Sequence, residues 1–434
     1  MSIYSAMYSG VSGLAAQSAK FAAISDNISN SSTVGYKRSG VQFSTLVTSA
    51  SSPGSYSAGG VQADLHTEVS RGGIVQATNS ATDMAISGRG FFVVSNRSAA
   101  VNGEAPSYML TRSGAFRVDE NGNLHNTAGY FLQGWKLGPD GKVVGGEPSR
   151  TSFTGLETVN LSSITGLAKA TTQIDFAANL PASQTGKTPP AQPFSTSVDY
   201  YTPLGGTGRL TLEWAPQSAA NEWNLTIYDG TTSLGTANIV FNGNTATSGP
   251  PGSLNTMSEV GASPTLDVDA ATGSIKLDVN GQPIVVNLGR PNQTGGLTQW
   301  GDDYVPTKIN KDGASYAPLE RVEIGDDGVM TAIYKNGLRQ AVYQIPVADV
   351  TNPDGLRRMD GNAFQVSRES GDYYLWDAGS GKAGAVDGAA LEASNVDIAE
   401  ELTSIIETQR AYSSNAKIIQ TADEMLDEVS RLMR

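Results

Sequence analysis

The sequence of 434 residues contains no cysteine and only two histidines, His66 and His125. Disulfides, thiolate metal sites and thiol nucleophiles are therefore excluded. Neither histidine has a serine–aspartate or metal-ligand pattern near it, so we interpret both as structural or solvent-facing. Acidic pairs such as Asp302-Asp303 fall in predicted turns, where aspartate commonly bonds the local backbone. We therefore expect no enzyme, and no catalytic, cofactor or metal site.

Charged residues are also scarce. They make up 16% of the chain, against roughly 25% in an average domain, and the net charge is −13. Nucleic-acid binding needs a basic patch. The two basic pairs, Lys37-Arg38 and Arg357-Arg358, are too short to supply one, so we expect no nucleic-acid partner.

Long apolar runs are missing as well. No stretch of 18 apolar residues occurs, so the sequence predicts no membrane insertion. The first lysine is Lys20, so the basic segment that opens a secretory signal peptide is absent. If the chain is exported, we expect a route that needs no cleaved signal peptide.

Glycine, by contrast, is abundant, with 49 residues, and the middle of the chain alternates short β-branched and aromatic runs with turns. Examples of such runs are "GFFVVSN" (90–96) and "WNLTIYDG" (223–230). Dipeptides typical of hairpin turns separate many of them. They are Asn121-Gly122, Asp140-Gly141, Asn280-Gly281, Asp327-Gly328 and Asn336-Gly337. This pattern predicts a β-rich middle.

Both ends of the chain predict helices with apolar residues repeated every seven positions. Residues 2–29 form the first, and a second helix of about 40 residues is predicted to start at a cap on Ser394 or Asn395. The N-terminal stripe is Met7, Leu14, Phe21 and Ile28, with Ile3 at the alternate heptad position. The C-terminal stripe is Leu391, Ile398, Ile405, Tyr412, Ile419, Leu426 and Met433, with Leu402 at the alternate position. A sustained heptad pattern favours coiled-coil packing, and we predict that both stripes form interfaces between subunits.

These patterns together predict an α+β multidomain chain in which long coiled-coil-forming terminal helices flank nested all-β domains. We expect a helical polymerisation domain from residues 1–69 and 386–434, including a connecting segment at about 30–69. Residues 70–145 and 300–385 are predicted to form a β domain. Residues 146–299 are predicted to form an outer β domain inserted into it, since domains insert at exposed hairpins.

Two terminal segments carry a family resemblance. "AAISDNISNSSTVGYKRS" (22–39) and "NVDIAEELTSIIETQRAYSSNAKIIQTADEMLDE" (395–428) resemble the N- and C-terminal signatures of bacterial flagellar rod and hook proteins. "NSATDMAISGRGFFVV" (79–94) is similar to a β-domain motif of the same family. The signature residues carried over are Asn27, Asn30, Thr33, Gly35, Tyr36, Lys37, Gln409 and Arg410.

The resemblance implies a structural subunit of the bacterial flagellum that polymerises with itself. The inserted segment favours a hook subunit, which forms a curved flexible tube transmitting motor torque to the filament. By resemblance, the partners are the distal rod, the hook cap, the hook–filament junction proteins and the type III export machinery. The expected location is the extracellular hook. A distal rod subunit is the alternative within the family.

A carbohydrate-binding or adhesive β protein is the alternative outside the family, with Trp214, Trp223 and Trp300 as a sugar platform.

Within the N-terminal signature, we expect Asn30 or a neighbour to end the helix in the left-handed conformation. Gly35 is expected to take a positive φ. Asp26 stands where relatives often have asparagine, and a carboxylate is disfavoured near a helix C-terminus.

Overall fold

The computed structural model describes residues 3–46, 59–99, 106–245 and 248–432. The described residues form two compact units. Unit 1 lies within Met1–Ile164, Arg321–Ile333 and Arg339–Arg434, and unit 2 within Thr165–Glu320 and Tyr334–Leu338. The three-domain division given by the sequence stays a prediction; unit 2 overlaps its inserted segment, 146–299.

The terminal helices are confirmed. Helix α1 spans Ile3–Ser29 and helix α2 spans Ile398–Leu432. The predicted cap of α2 is wrong, because a carboxylate oxygen of Asp397 accepts the backbone N–H groups of Ala399 at 2.8 Å and Glu400 at 3.3 Å. Within the described ranges, no helix is both long and apolar enough to cross a bilayer.

Most of the remaining chain is β structure. Before unit 2 the strands are β1 (Ser39–Thr45), β2 (Val61–Thr67), β3 (Val75–Ala77), β4 (Met84–Ser87), β5 (Phe91–Ser95), β6 (Tyr108–Thr111), β7 (Phe116–Val118), β8 (Leu124–Asn126), β9 (Phe131–Lys136) and β10 (Glu157–Thr158). Those of unit 2 are β11 (Leu167–Lys169), β12 (Gln173–Pro181), β13 (Phe194–Tyr201), β14 (Thr207–Pro216), β15 (Glu222–Asp229), β16 (Thr232–Phe241), β17 (Leu254–Glu259), β18 (Leu266–Asp269), β19 (Ser274–Val279), β20 (Gln282–Asn287), β21 (Thr298–Trp300), β22 (Val305–Lys311) and β23 (Ala314–Ala317). The strands that follow are β24 (Leu319–Ile324), β25 (Val329–Tyr334), β26 (Arg339–Gln344), β27 (Pro346–Val350), β28 (Arg357–Met359), β29 (Ala363–Gln365), β30 (Tyr373–Asp377), β31 (Ala385–Gly388) and β32 (Ala390–Glu392). Short 3-10 helices lie at Ala182–Gln184 and Pro353–Gly355.

The main sheet of unit 1 has the strand order β24-β25-β26-β9-β5-β6-β29-β28. Strand β5 is buried along its whole length, as the apolar run that precedes Ser95 suggests. Its side chains Phe91 and Val93 join those of Leu110, Trp135 and Phe364 in one hydrophobic core. The predicted turn glycines Gly122, Gly328 and Gly337 all have positive φ. Outside this sheet, β3 pairs with β32 and β4 with β31, so segments on either side of unit 2 fold together.

Unit 2 contains a five-stranded antiparallel sheet, β13-β14-β15-β16-β17, and a six-stranded sheet built around β12. Buried side chains of both sheets join one core. Strands β14 and β15 alternate buried and partly exposed residues, as expected for sheets with one buried face. Trp214 and Trp223 point into this core with 0% exposure, whereas Trp300 is 53% exposed. The three residues therefore form no exposed sugar platform.

Candidate functional site: the terminal helices and their connector

Helices α1 and α2 pack against each other in antiparallel directions. Gly10 of α1 lies against Ile419 and Gly13 against Asn415, while Asn27 near the end of α1 bonds Glu401 near the start of α2. A Cβ atom at Gly13 would lie 2.8 Å from the Asn415 side chain. The small residues of α1 therefore permit a close approach of the two helices.

The α2 face turned towards α1 is more polar than the sequence predicted. Glu401, Thr408 and Ala422 are buried, and they fall on one repeat of seven whose remaining position, Asn415, is partly buried. Leu402, the predicted neighbour of the apolar stripe, is 51% exposed. The glycines of α1 and the Asn27–Glu401 hydrogen bond set the register. They place a carboxylate in the contact between the helices, where the pattern predicted the apolar stripe.

The other residues predicted for the interface are distributed over several environments. Leu391 lies in β32 and pairs with Gln76 of β3, so its placement on the helical stripe is wrong. Met433 and the side chain of Ile3 lie outside the described residues. The remaining stripe residues divide into two groups by exposure. Met7, Leu14, Ile28, Ile405, Ile419 and Leu426 are partly buried, and Phe21, Ile398, Leu402 and Tyr412 are exposed.

The helix pair leaves a large apolar surface open to solvent, which we call the exposed apolar face. It comprises Tyr4, Tyr8, Val11, Phe21, Ile398, Leu402, Ile406, Tyr412, Ile418, Met425, Val429 and Leu432. A groove of 380 Å³ lies within it, lined by Phe21, Gln409 and Tyr412 among others. Single exposed apolar residues are normal, but so many of them on one helix pair favour an interaction surface.

The connector after α1 is held by side-chain hydrogen bonds at the helix end. The Asn30 amide donates to the backbone carbonyl of Asp26 at 2.9 Å and to its carboxylate at 3.0 Å. Neither Asn30 nor an adjacent residue has a positive φ, so the predicted left-handed ending is wrong. Its side chain satisfies one of the free carbonyls of the last helical turn instead. Thr33 donates in turn to the Asn30 side chain at 3.2 Å.

Asn27 is fully buried and joins three segments. Its amide nitrogen donates to the Ser39 carbonyl at 2.9 Å and to Glu401 Oε1 at 3.2 Å. Its amide oxygen accepts the Ser39 N–H at 2.8 Å and lies 3.1 Å from the Tyr36 hydroxyl. Because every polar atom of this side chain has a partner, Asn27 fixes α1 to both the connector and α2.

Tyr36 lies beneath the guanidinium of Arg358, whose central carbon is 5.1 Å from the ring centroid. The hydroxyl lies 3.1 Å from the Asp26 carboxylate, and burial raises the pKa of Tyr36. Arg358 also forms an ion pair with Asp26 at 3.6 Å. The carboxylate at the helix C-terminus is therefore compensated by a neighbouring cation, which offsets its unfavourable position in the helix dipole.

Lys37, Arg112 and Glu392 form a buried charge cluster. The Lys37 ammonium lies 2.7 Å from Glu392 Oε1, and the Arg112 guanidinium lies 3.1 Å from Glu392 Oε2. Burial lowers the pKa of Lys37 and of Arg112, although Glu392 opposes both shifts. Burial alone would raise the pKa of Glu392, but the two cations and the Gly73 N–H outweigh it and lower that pKa. Glu392 is thus charged in the fold.

Arg38 extends this arrangement to α2. Its guanidinium contacts Glu401 at 2.6 Å and Glu68 at 2.7 Å. The Asn395 side chain accepts the Arg38 backbone N–H at 2.7 Å and donates to the carbonyls of Glu68 and Arg71. This use of its amide explains why Asn395 does not cap α2.

Gly35 has φ +68°, as predicted. A Cβ atom there would lie 2.6 Å from the backbone nitrogen of Ser113 and 2.7 Å from the carbonyl carbon of Arg112. The Gly35 N–H donates to the Glu392 carbonyl at 2.8 Å. A glycine is therefore required here for both its conformation and its close backbone contact.

Three family models match the chain. The flagella basal body rod protein model covers residues 7–37, the flagellar hook protein FlgE/F/G D1 domain model covers 85–177, and the flagellar basal body rod FlgEFG protein C-terminal model covers 388–432. The first match includes most of α1 and the residues up to Lys37. The last includes Glu392 and α2. Lys37 and Glu392 therefore both lie in matched segments. They belong to what we call the connector cluster, which comprises Asn27, Tyr36, Lys37, Arg38, Glu68, Arg112, Glu392, Asn395 and Glu401.

Full-length relatives identify the family. The flagellar hook protein FlgE of Brucella abortus biovar 1 (strain 9-941) is 35% identical over 441 residues, covering 100% of both chains. The chain belongs to the flagellar hook protein family. The flagellar hook protein FlgE of Rhizobium meliloti (strain 1021) is 36% identical over 451 residues, again covering 100% of both chains. The Helicobacter pylori flagellar hook protein FlgE2 structure covers 73% of this chain and 100% of that one, at 15% identity and a TM-score of 0.46.

In this flagellar hook family member, signature residues from the N-terminal segment lie together in one cluster, and the C-terminal signature residues lie outside it. Asn27, Tyr36 and Lys37 lie in the connector cluster, whereas Gln409 and Arg410 are exposed on α2. Sequence reasoning missed the acceptors of the cluster, which are Glu68, Glu392, Asn395 and Glu401. Glu401 carried one usable signal, because it begins the seven-residue spacing that continues through the buried Thr408.

Proposed function

We propose that this chain is the structural subunit of a bacterial flagellar hook and that its copies assemble through their terminal helices. The observation that carries the proposal is the exposed apolar face of the helix pair. Tyr4 is 73% exposed, Leu402 is 51% exposed and Met425 is 57% exposed. Such a surface is unfavourable in water and is covered when copies pack together.

The energetics favour assembly through many such contacts. Fully burying one large aliphatic or aromatic side chain is worth about 1.5–3 kcal/mol, while association costs about 4–15 kcal/mol in lost freedom and ordering. A few covered residues per copy therefore do not suffice, but covering many of the exposed apolar side chains of both helices does. The seven-residue spacing favours a left-handed coiled coil between neighbouring copies.

The finer role follows from the family. The assembled tube is a curved universal joint that transmits torque from the motor to the filament. Bending requires subunits to slide past one another, and the serine-, threonine- and glycine-rich unit 2 suits weak polar contacts that permit sliding. The partners we propose are the distal rod, the hook cap, the hook–filament junction proteins and the type III export machinery, with an extracellular hook location.

A structural role also accounts for the absence of catalytic patterns in the sequence. The family is structural. The charged groups of Lys37, Arg112 and Glu392 are buried and paired with one another, so they stabilise the fold. A distal rod subunit is not favoured, because the full-length relatives named above are hook proteins.

The test is electron microscopy of the purified full-length chain after salting out. Curved tubes are the expected product. Straight rigid tubes would replace the hook assignment with a rod subunit. Particles that stay monodisperse under all salting-out conditions would contradict assembly through self-association.

A further inference from the structure

The charges that hold the connector come from opposite ends of the chain. The cations Lys37 and Arg112 belong to segments that precede unit 2, and their shared carboxylate, Glu392, follows it by a long stretch of sequence. The side chains of Lys37 and Glu392 are each 1% exposed, and that of Arg112 is 4% exposed. A cation buried to this degree loses most of its solvation, so the loss of its partner is costly.

The cluster holds two cations and one carboxylate. In the part of the chain that the structure describes, Glu392 is the one carboxylate within ion-pair distance of either Lys37 or Arg112. Glu392 also accepts the Gly73 N–H at 2.7 Å through its side chain and the Gly35 N–H at 2.8 Å through its carbonyl. Removing this residue leaves two buried cations unpaired, which is far more costly than losing one exposed ion pair.

A few residues after Glu392, Asn395 and Glu401 form further bonds to α1 and the connector. Glu401 has 0% exposure and receives both Arg38 and the Asn27 amide. Asn395 accepts the backbone N–H of Arg38. The end of α1 and the connector are therefore bonded to the same short C-terminal segment, residues 392–401, at several independent points.

We propose that residues 392–401 act as a closing lock that orders the connector, and with it α1, only once the C-terminal segment is in place. Before that segment arrives, the described fold would bury Lys37 and Arg112 without a carboxylate and leave Arg38 with Glu68 alone, so the connector stays open. A chain that emerges N-terminus first completes its helix pair last. A consequence for assembly rests on the proposed function. An incomplete chain cannot present the exposed apolar face, so it is not added to the tube.

Because one carboxylate pairs with two cations, removing the carboxylate and removing one cation should have unequal effects. Two variants of the same ion pair test this. Glu392→Gln keeps the side-chain shape but leaves two buried cations without a carboxylate. Lys37→Met removes the surplus cation and leaves Arg112 paired with Glu392. Hydrogen exchange on the unassembled full-length chain should show backbone amides of residues 33–45 and 61–73 exchanging about a hundredfold faster in Glu392→Gln. Lys37→Met should change these rates by less than about tenfold.

Strands β5 and β6 and the strands of unit 2 serve as internal folding controls, with unchanged exchange expected in both variants. Equal rates in Glu392→Gln and wild type would overturn the lock, and so would equal acceleration by both variants. If Glu392→Gln unfolds all of unit 1, the lock is tested instead by pulse-labelled refolding of the wild-type chain. Connector amides should gain protection together with those of residues 392–401 and after those of β5 and β6; earlier protection would overturn the proposal. Neither measurement involves polymerisation, so the proposed function can fail independently.

Discussion

The ammonium group of Lys37 lies 2.7 Å from a carboxylate oxygen of Glu392, a residue 355 positions later in the chain. Both side chains are almost completely buried. Lys37 belongs to the Gly-Tyr-Lys signature of the N-terminal segment, and its role in this structure is to join that segment to the C-terminal one. A signature residue here stabilises the fold of one chain, and in the proposed assembly the exposed apolar face makes the contacts with other subunits.

The first prediction concerns the close approach of the two helices. Gly13→Val should destabilise the helix pair by about 1–3 kcal/mol, because the added side chain overlaps Asn415. Helix propensity alone predicts the opposite sign, since valine is the better helix former. The exposed position Ala15 supplies the control variant, Ala15→Val. Thermal unfolding followed by circular dichroism checks this; greater stability of Gly13→Val would show that the helices do not pack as described.

The second prediction separates backbone conformation from contact at Gly35. Gly129 also has a positive φ, of +83°, but a Cβ atom there meets nothing within 4 Å. Gly129→Ala should therefore cost about 1 kcal/mol from conformation alone. Gly35→Ala should cost at least about 2 kcal/mol more, because the methyl group overlaps the Arg112 and Ser113 backbone. Urea denaturation measures both; equal losses would contradict the contact.

The third prediction concerns the hydrogen bonds of Asn27. Asn27→Asp replaces a donor by an acceptor opposite the Ser39 carbonyl and the Glu401 carboxylate. This repulsion in a buried site should cost about 2–3 kcal/mol. Adding Glu401→Gln supplies a donor again and should recover part of the loss, which a double-mutant cycle detects. Strictly additive losses would show that the two side chains do not interact.

The fourth prediction is a pH dependence in unit 2. Burial alone would raise the pKa of Asp312, but the N–H groups of Gln173 and Thr172, the Thr172 hydroxyl and Lys169 lower it to about 2. A carboxyl with a lowered pKa stabilises the fold above its ordinary pKa, and this stability is lost as pH falls towards 2. The contribution near neutral pH is about 2 kcal/mol.

Asp312→Asn should therefore lower the unfolding free energy of unit 2 near neutral pH and flatten its loss between pH 4 and pH 2. The control is Asp267→Asn, which changes a carboxylate that is 72% exposed in the same unit. Hydrogen exchange in β12 and β14 at several pH values provides the measurement. If Asp312→Asn loses stability between pH 4 and pH 2 as steeply as the wild type does, the assigned role of this carboxylate is contradicted.

The sequence predicted most of the local structure correctly. The long uninterrupted apolar repeats predicted α1 and α2, and the Asn-Gly and Asp-Gly dipeptides predicted turns where Gly122, Gly328 and Gly337 have positive φ. The start of α2 was missed because Asn395, a good capping residue, bonds the connector instead. Competition of this kind depends on tertiary contacts and leaves no local pattern.

The candidate site was predicted in part. Gly35 could be recognised because only glycine adopts its φ without strain, but the acceptors Glu392 and Glu401 could not. A buried ion pair has no periodicity, and its partners here are separated by most of the chain. The heptad pattern located the C-terminal stripe yet not its orientation, because glycines and polar residues decide which face of α2 meets α1.

Pelleting of the purified full-length chain after salting out, with negative-stain microscopy of the pellet, tests assembly through the exposed apolar face most directly. The test variant is Ile406→Glu, which adds a charge to a side chain that is 51% exposed. The control is Ser413→Glu, at the same heptad position one repeat later and also exposed. We predict tubes from the wild type and from Ser413→Glu, and soluble subunits with intact helices from Ile406→Glu. Normal tubes from Ile406→Glu would contradict assembly through this face.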